Sequence, residues 1–411
     1  MEIKTFSKKQ GEILKFIDSD ENYLICDGAV RSGKTIVMTL AFVLWAMRYF
    51  NETNFAICGK TVTNAERNII RPFMAIEGLN GALKISYKLT NRCMTVESGN
   101  VRNYFYVYGG KDESSYALIQ GITLAGVLLD EVALMPQSFV DQATARTLTY
   151  SNAKIWFNCN PESPAHWFYK TWIAEKVPRS KRLHFLMQDN PIMGAEEIKR
   201  AEEMYAGVFY RRYILGEWVI ADGLIFEFDD VKNACDGVER AGCRFYISCD
   251  YGITNPFVAQ LWAVKGRTAY CVNEYYFDSN EAGYRRTDEE HYAEIEALAG
   301  NLPIEFIVID PSATSMKETI YRHDKFSYKN ANNDVLGGIG SMAALLKAGM
   351  IKYDVKNCPG TVREFGLYLW DMNSGLDKPI KENDHGMDAS RYFCSTVLID
   401  EFNWINWGKT S

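Results

Sequence analysis

The ten cysteines of this chain form no CxxC pair, and their scatter excludes a disulfide framework and a patterned zinc site. Cys235, Cys243 and Cys249 lie loosely together, at spacings that fit no zinc pattern. The thiols read as reduced, and most of them as small core residues. No apolar run approaches the roughly 20 residues that span a bilayer, so no membrane partner is expected. The stretch Met1-Glu2-Ile3-Lys4-Thr5-Phe6 lacks a signal-peptide pattern. No Pro- or Ser-rich linker, internal repeat or low-complexity tract interrupts the chain. A basic excess is missing too. The formal net charge is −7, and it is uneven: residues 1–220 carry 26 Lys/Arg against 23 Asp/Glu, a net of +3, whereas residues 221–411 carry 19 against 29, a net of −10. An acidic half argues against a nonspecific nucleic-acid coat. It leaves room for clustered carboxylates holding metal ions that face phosphate.

At 411 residues, 47% apolar and 24% charged, the chain has the composition of a soluble globular protein of two or three domains. The first half alternates strand and helix, with β-rich runs at 23–26, 54–58, 104–108, 126–130 and 154–159. This predicts a mostly parallel sheet with helices on both faces. New strands follow at 244–250, 258–264 and 268–277, as antiparallel hairpins, and at 306–310 after a charged helical segment, 288–298. The seam is expected near Gly216-Glu217-Trp218, giving domains 1–218 and 219–411.

Gly28-Ala29-Val30-Arg31-Ser32-Gly33-Lys34-Thr35 follows an apolar strand and opens a helical pattern, the order a P-loop requires. Gly28, Ser32 and Gly33 let backbone N–H groups close round a triphosphate at a helix N-terminus. Lys34 would reach its β and γ phosphates, and Thr35 would hold Mg²⁺. The bound species is expected to be ATP. In Gly126-Val127-Leu128-Leu129-Asp130-Glu131, Asp130 is placed to bind Mg²⁺ through water and Glu131 to polarise the attacking water. Gln10 is either an adenine-pairing amide or a polar residue opening the first helix. The strand ending at Asn158 and Asn160 is suited to sensing the γ-phosphate. Arg31, inside the loop, is the first candidate for a cation stabilising the transition state, and Arg146 the second.

Asp250 and Asp310 each end a strand, and Asp384 and Asp388 flank His385 where a helix begins. Strand-end acids with a helix-borne partner make a hard oxygen site for two Mg²⁺ or Mn²⁺ ions, suited to phosphodiester cleavage. Taken singly, each is equally an ordinary turn or cap residue. His385 is a proton carrier, an outer-shell group or a structural histidine, with nothing to separate them.

These motifs resemble the large terminase subunit of tailed bacteriophages. They are the arginine-bearing P-loop, Leu128-Leu129-Asp130-Glu131, Asn158-Cys159-Asn160-Pro161, Gly216-Glu217-Trp218, Asp250-Tyr251-Gly252, Val308-Ile309-Asp310-Pro311 and Asn383-Asp384-His385-Gly386-Met387-Asp388-Ala389-Ser390-Arg391-Tyr392. The resemblance implies a P-loop motor of the additional-strand (ASCE) class followed by a ribonuclease-H-like nuclease, with Asp250, Asp310 and Asp388 as metal ligands. Implied partners are double-stranded DNA, a small terminase subunit and the portal protein of the procapsid. The implied assembly is a homo-oligomeric ring during packaging, with a monomer in free solution, in the host cell cytoplasm and not in the mature virion. Leu118-Ile119-Gln120-Gly121 stands where some relatives place a trans-acting arginine, so Arg31 or Arg146 would have to serve. DNA contacts are expected around the metal site, near Lys317, Lys325 and Lys329. The alternative is a P-loop motor or scaffold whose C-terminal half only binds partners. A helicase-like repair ATPase ranks lower, for want of a second motor domain.

Overall fold

The computed structural model describes residues 5–252, 256–371 and 376–399. The chain forms two compact units, Met1–Glu202 with Val208–Ile220, and Glu203–Gly207 with Ala221–Ser411.

The first unit is built on eight strands: β1 Tyr23–Gly28, β2 Thr53–Gly59, β3 Lys84–Lys88, β4 Cys93–Ser98, β5 Val101–Gly109, β6 Gly126–Asp130, β7 Lys154–Asn158 and β8 Ser180–Phe185. Their order is β3-β4-β5-β2-β6-β7-β1-β8. The six strands from β5 to β8 are mutually parallel, and β3 and β4 add an antiparallel edge. That hairpin goes beyond the strands expected from the sequence, although its side chains alternate between exposed and half-buried along β3. β7 stands between the P-loop strand β1 and the Asp130 strand β6, as the additional-strand class requires.

Period-two alternation sorts the core onto the two faces. Leu24, Cys26 and Leu128 pack with Phe42, Trp45 and Trp156 against the helix Lys34–Tyr49. Ile25, Val127 and Leu129 pack on the other face with Phe139 and Val140 of the helix Gln137–Ala145. Buried on both faces, the central strands carry continuous apolar runs. The predicted helical stretch 196–213 is two helices, Ala195–Glu203 and Gly207–Tyr213.

The second unit has seven strands: β9 Ala234–Cys235, β10 Arg244–Asp250, β11 Phe257–Lys265, β12 Thr268–Phe277, β13 Ile304–Ile309, β14 Tyr328–Asn330 and β15 Ile351–Asp354. The order is β14-β13-β10-β11-β12-β15-β9. β10, β11 and β12 form the expected antiparallel meander, and β13 returns parallel to β10. This is a ribonuclease-H-like sheet. Ile247, Cys249, Ala259 and Ile309 face a core shared with Tyr292, Ile295, Met316 and Ile320. The opposite face receives the helix His385–Phe393, whose Phe393 ring stacks on Trp262 at 4.3 Å. Alternation therefore turns Asp250 toward that helix, where it meets His385.

Candidate functional sites of the two units

The P-loop leaves β1 at Gly28, whose φ of 127° only glycine adopts freely; a Cβ there would stand 2.0 Å from the Phe185 carbonyl oxygen. Gly33, at φ 78°, caps the helix Lys34–Tyr49, and a Cβ would meet the Gln10 amide nitrogen at 2.6 Å. Backbone bonds brace the loop: Ala29 N–H donates to Phe185 O (2.8 Å) and Val30 N–H to Tyr213 O (2.9 Å). Buried Lys34 turns into its own loop, donating to Ala29 O (2.7 Å), Gly28 O (3.1 Å), Ser32 Oγ (3.1 Å) and Asn160 Oδ1 (3.4 Å). Burial lowers its pKa.

Thr35, Asp130 and Asn158 meet beneath the loop. Thr35 Oγ1 donates to Asp130 at 3.2 Å, and the Asn158 amide donates to Thr35 Oγ1 at 2.8 Å and to Asp130. Burial, with Glu131 beside it, pushes Asp130 up to about 6 against the hydrogen bonds from Asn158 and Thr35. Burial also raises Glu131, opposed by the charge of Arg67. Asn158 Oδ1 is buried without a hydrogen-bond partner. Two crowded carboxylates and an orphaned amide oxygen suit a divalent cation and a phosphate-bound water.

Gln10 does what a helix cap does: Ser7 N–H donates to its Oε1 (3.0 Å) and Gln10 N–H to Ser7 Oγ (3.3 Å). Its amide nitrogen nonetheless lies against Gly33, so capping and contact with the P-loop coexist. Arg31 is exposed and held at φ 55°, its carbonyl accepting from Asn190 Nδ2 at 2.8 Å. Arg146 is placed otherwise than a cis role requires. Its carbonyl accepts from Leu124 N–H, before β6 begins, while the P-loop lies where the parallel strands end. Arg146 Nε is buried there, with no hydrogen-bond partner among the described residues.

One cluster went unread in the sequence. Asp27, fully buried and one residue before the loop, is gripped by Arg182 Nε (2.9 Å) and Nη2 (2.7 Å), by Trp218 Nε1 (2.8 Å) and by His184 Nδ1 (3.3 Å). Burial would raise this carboxyl, but His184, Arg182 and Trp218 together hold it below the usual range. Trp218 of the Gly216-Glu217-Trp218 segment thus reaches the P-loop strand. The only local hint was an aspartate inside an apolar run.

In the second unit each expected acid has its own partner. His385 Nδ1 lies 2.8 Å from Asp250 Oδ2. Burial pushes Asp250 up to about 6 despite that bond, and the charges of Asp388 and Asp384 add to the rise. Burial disfavours the charged His385 ring, but Asp250 outweighs it and raises the pKa. Lys381 Nζ lies 3.3 Å from Asp384 Oδ2 and 3.4 Å from Asp388 Oδ2, while Arg391 donates to Asp388 Oδ1 at 3.0 Å. Asp310 accepts from Tyr392 OH at 2.7 Å and from Ser312 N–H at 2.6 Å. Burial notwithstanding, these bonds keep it ionised more easily than usual.

The predicted metal ligands Asp250, Asp310, Asp384 and Asp388 are therefore gathered round one helix but not closed into a ligand set. Among the described residues, no three His, Cys, Asp or Glu side chains are grouped so as to hold a metal ion. Each carboxylate is instead held by a protein partner: Lys381 and Arg391 pair with Asp384 and Asp388, His385 with Asp250, and the Tyr392 hydroxyl donates to Asp310. The donor set still fits a hard divalent ion, because buried carboxylate oxygens whose charges raise one another's proton affinity are the donors such an ion takes.

Below them runs a buried polar network also absent from the sequence reading. Glu364 accepts from Gly386 N–H (2.7 Å), Met387 N–H (3.1 Å) and Tyr276 OH (2.7 Å), so it caps the helix that carries Asp388. Gln260 Nε2 donates to Gly386 O at 2.9 Å. Of the lysines expected near DNA, Lys317 donates to Pro311 O beside Asp310, whereas Lys325 pairs with Glu296 and Lys329 covers the Phe306 ring.

Known proteins show the same combination. The family model described as "Terminase large subunit, T4likevirus-type, N-terminal" matches residues 25–233. The large terminase of a thermophilic bacteriophage is 41% identical, with a TM-score of 0.90, over 96% of this chain and 100% of its own. The same thermophilic-phage protein has also been solved with ADP (40% identity, TM-score 0.87) and with ATP-γ-S (40%, 0.86), each over 96% of this chain and 100% of that one. No curated protein matches. Identity at this level over nearly the whole of both chains, with a family model matching residues 25–233, places this chain in the family of phage terminase large subunits.

Proposed function

We propose that this chain is an ATP-driven motor that translocates double-stranded DNA into a procapsid and cuts it with a second, metal-dependent site. The observation that carries the motor reading is the Thr35–Asp130–Asn158 set beneath a P-loop whose lysine is held by its own carbonyls. The thermophilic-phage relative holds ADP and ATP-γ-S, and triphosphate oxygens are stronger acceptors for Lys34 than loop carbonyls. Thr35 and Asp130 would hold Mg²⁺, which supplies charge neutralisation at the phosphates. Glu131 orients and deprotonates water, Asn158 and Asn160 register the γ-phosphate, and Arg31 stands ready as the cation.

In the second unit, Asp250, Asp310 and Asp388, with Asp384 beside them, would hold two Mg²⁺ or Mn²⁺ ions, which supply Lewis-acid activation in phosphodiester hydrolysis. His385 orients Asp250 and stores a proton at Nδ1. The proposed partners are the small terminase subunit, the portal protein and further copies of this chain in a ring, in the cytoplasm of the host. One observation favours a binding platform in place of a nuclease: each carboxylate already has a protein partner. Cleavage of supercoiled plasmid with and without Mn²⁺ separates the two. Wild type and Lys34→Ala should cut and Asp310→Ala should not, while ATP hydrolysis is lost in Lys34→Ala alone. Plasmid left intact by wild type in Mn²⁺ would sink the nuclease half.

A further inference from the structure

Two cations neutralise the carboxylates of the helix His385–Phe393, and they are built differently. Arg391 has 1% of its side chain exposed, and a Cβ on Gly338 would stand 2.7 Å from its Cγ, so packing fixes it in place. It takes Oδ1 of Asp388. Lys381 is 58% exposed, precedes the helix, and takes Oδ2 of both Asp384 and Asp388. Those two side chains are only 6% and 8% exposed, so water screens their mutual repulsion poorly. A flexible lysine supplies one mobile positive charge between them, with donors that can leave without disturbing the core. Lys381 also lines a cleft of about 470 Å³ with Tyr276, Asp278, Arg363, Asn383 and His385, which gives its ammonium somewhere to go.

We infer that Lys381 is an exchangeable counter-cation, which occupies the Oδ2 atoms of Asp384 and Asp388 until a divalent ion displaces it into the cleft. The inference rests on the nuclease reading above. A doubly charged ion gains about twice the Coulomb energy of an ammonium at equal distance, which works against its larger dehydration cost and lets it compete for the two oxygens. Lys381 is thus a positioning residue that sets the ion concentration at which the site loads.

The test is calorimetric titration of Mn²⁺ into the chelator-treated full chain, in wild type, Lys381→Met, Lys381→Gln, Lys381→Arg and Asp388→Ala. Removing the competitor should tighten Mn²⁺ binding several-fold in the Met and Gln variants, and leave it near wild type in the Arg variant. The Met variant should melt lower than wild type in chelator and recover with Mn²⁺. A purely structural lysine would weaken Mn²⁺ binding when removed. Unchanged or weaker binding in both neutral variants, with binding abolished in Asp388→Ala, overturns the inference and spares the nuclease reading. Wild type and Asp388→Ala binding Mn²⁺ alike would instead strike the nuclease reading itself.

Discussion

Asp27 shows how much one buried charge can decide. It has no exposed surface, and its stability comes from being ionised against Arg182, His184 and Trp218. Its folded pKa lies below the unfolded value near 4, so this stabilisation is present above that pH and lost as pH falls through the folded value. Asp27→Ala removes the acceptor shared by Arg182, His184 and Trp218. Arg182 is 40% exposed and can turn to water, so the cost should be about 1–3 kcal/mol by chemical denaturation at pH 7. The acid limb of the stability curve should flatten in the variant. Since Gly28 follows directly, ATP-γ-S affinity should drop as well; unaltered affinity would show the cluster to be scaffold only. Arg31 and Glu131 make the complementary point, because both hold a left-handed backbone without being glycine, at φ 55° and 57°. Such conformations cost on the order of 1–3 kcal/mol and persist where the surrounding structure over-determines them. Arg31→Gly removes the strain together with the cation, so melting temperature should hold or rise while ATP turnover falls. Turnover at the wild-type level would remove Arg31 as the cation of the motor.

The helix His385–Phe393 is the element on which the second site depends, and Glu364 holds its first turn. Burial pushes Glu364 up to about 7, against hydrogen bonds from Tyr276 and from the backbone of Met387 and Gly386. A carboxyl raised from its unfolded value of 4.5 contributes stability that is full below that pH and is lost as pH rises through 7. Glu364→Gln cannot ionise, so wild type should lose stability relative to the variant between pH 5 and pH 8, by on the order of 2 kcal/mol. Parallel denaturation curves across that range would show that the carboxyl is not raised. Gly386 is the matching constraint, since a Cβ there would meet Thr361 Oγ1 at 2.6 Å and Glu364 Oε2 at 2.9 Å. Gly386→Ala should therefore tilt the helix and reduce plasmid cleavage while ATP hydrolysis continues. Equal cleavage would mean that the network tolerates the shift.

Across the whole molecule, what was legible in the sequence is what is contiguous in it. The P-loop, Asp130-Glu131 and the Asp384–Tyr392 stretch carry strand ends and helix starts within a few residues, and their periodicity predicted both sheets. Asp27 with Trp218, Glu364 with Gly386, and Tyr392 with Asp310 join residues tens to hundreds of positions apart, and no local pattern encodes such pairings. Arg146 belongs with them: its backbone lies where β6 begins, away from the P-loop end of the parallel strands, and that placement comes from the sheet and not from any local pattern. Charge is a property the sequence states at full scale, and it makes the last prediction. Residues 221–411 carry a net of −10, so duplex DNA approaching the second unit is repelled unless the carboxylates are neutralised. Lys381 and Arg391 pair with Asp384 and Asp388 but leave Asp250 and Asp310 without a lysine or arginine partner among the described residues. Duplex affinity of the full chain should therefore be weak in chelator and rise about tenfold, or 1.4 kcal/mol, with Ca²⁺, a hard ion that takes the same oxygen donors. Lys34→Ala should keep the rise, because its lesion lies in the other unit. Asp250→Ala and Asp310→Ala should lose it, when measured by fluorescence anisotropy at one fixed ionic strength. A rise of equal size in all four proteins would assign the effect to bulk screening of DNA, and would leave the acidic unit without a part in holding it.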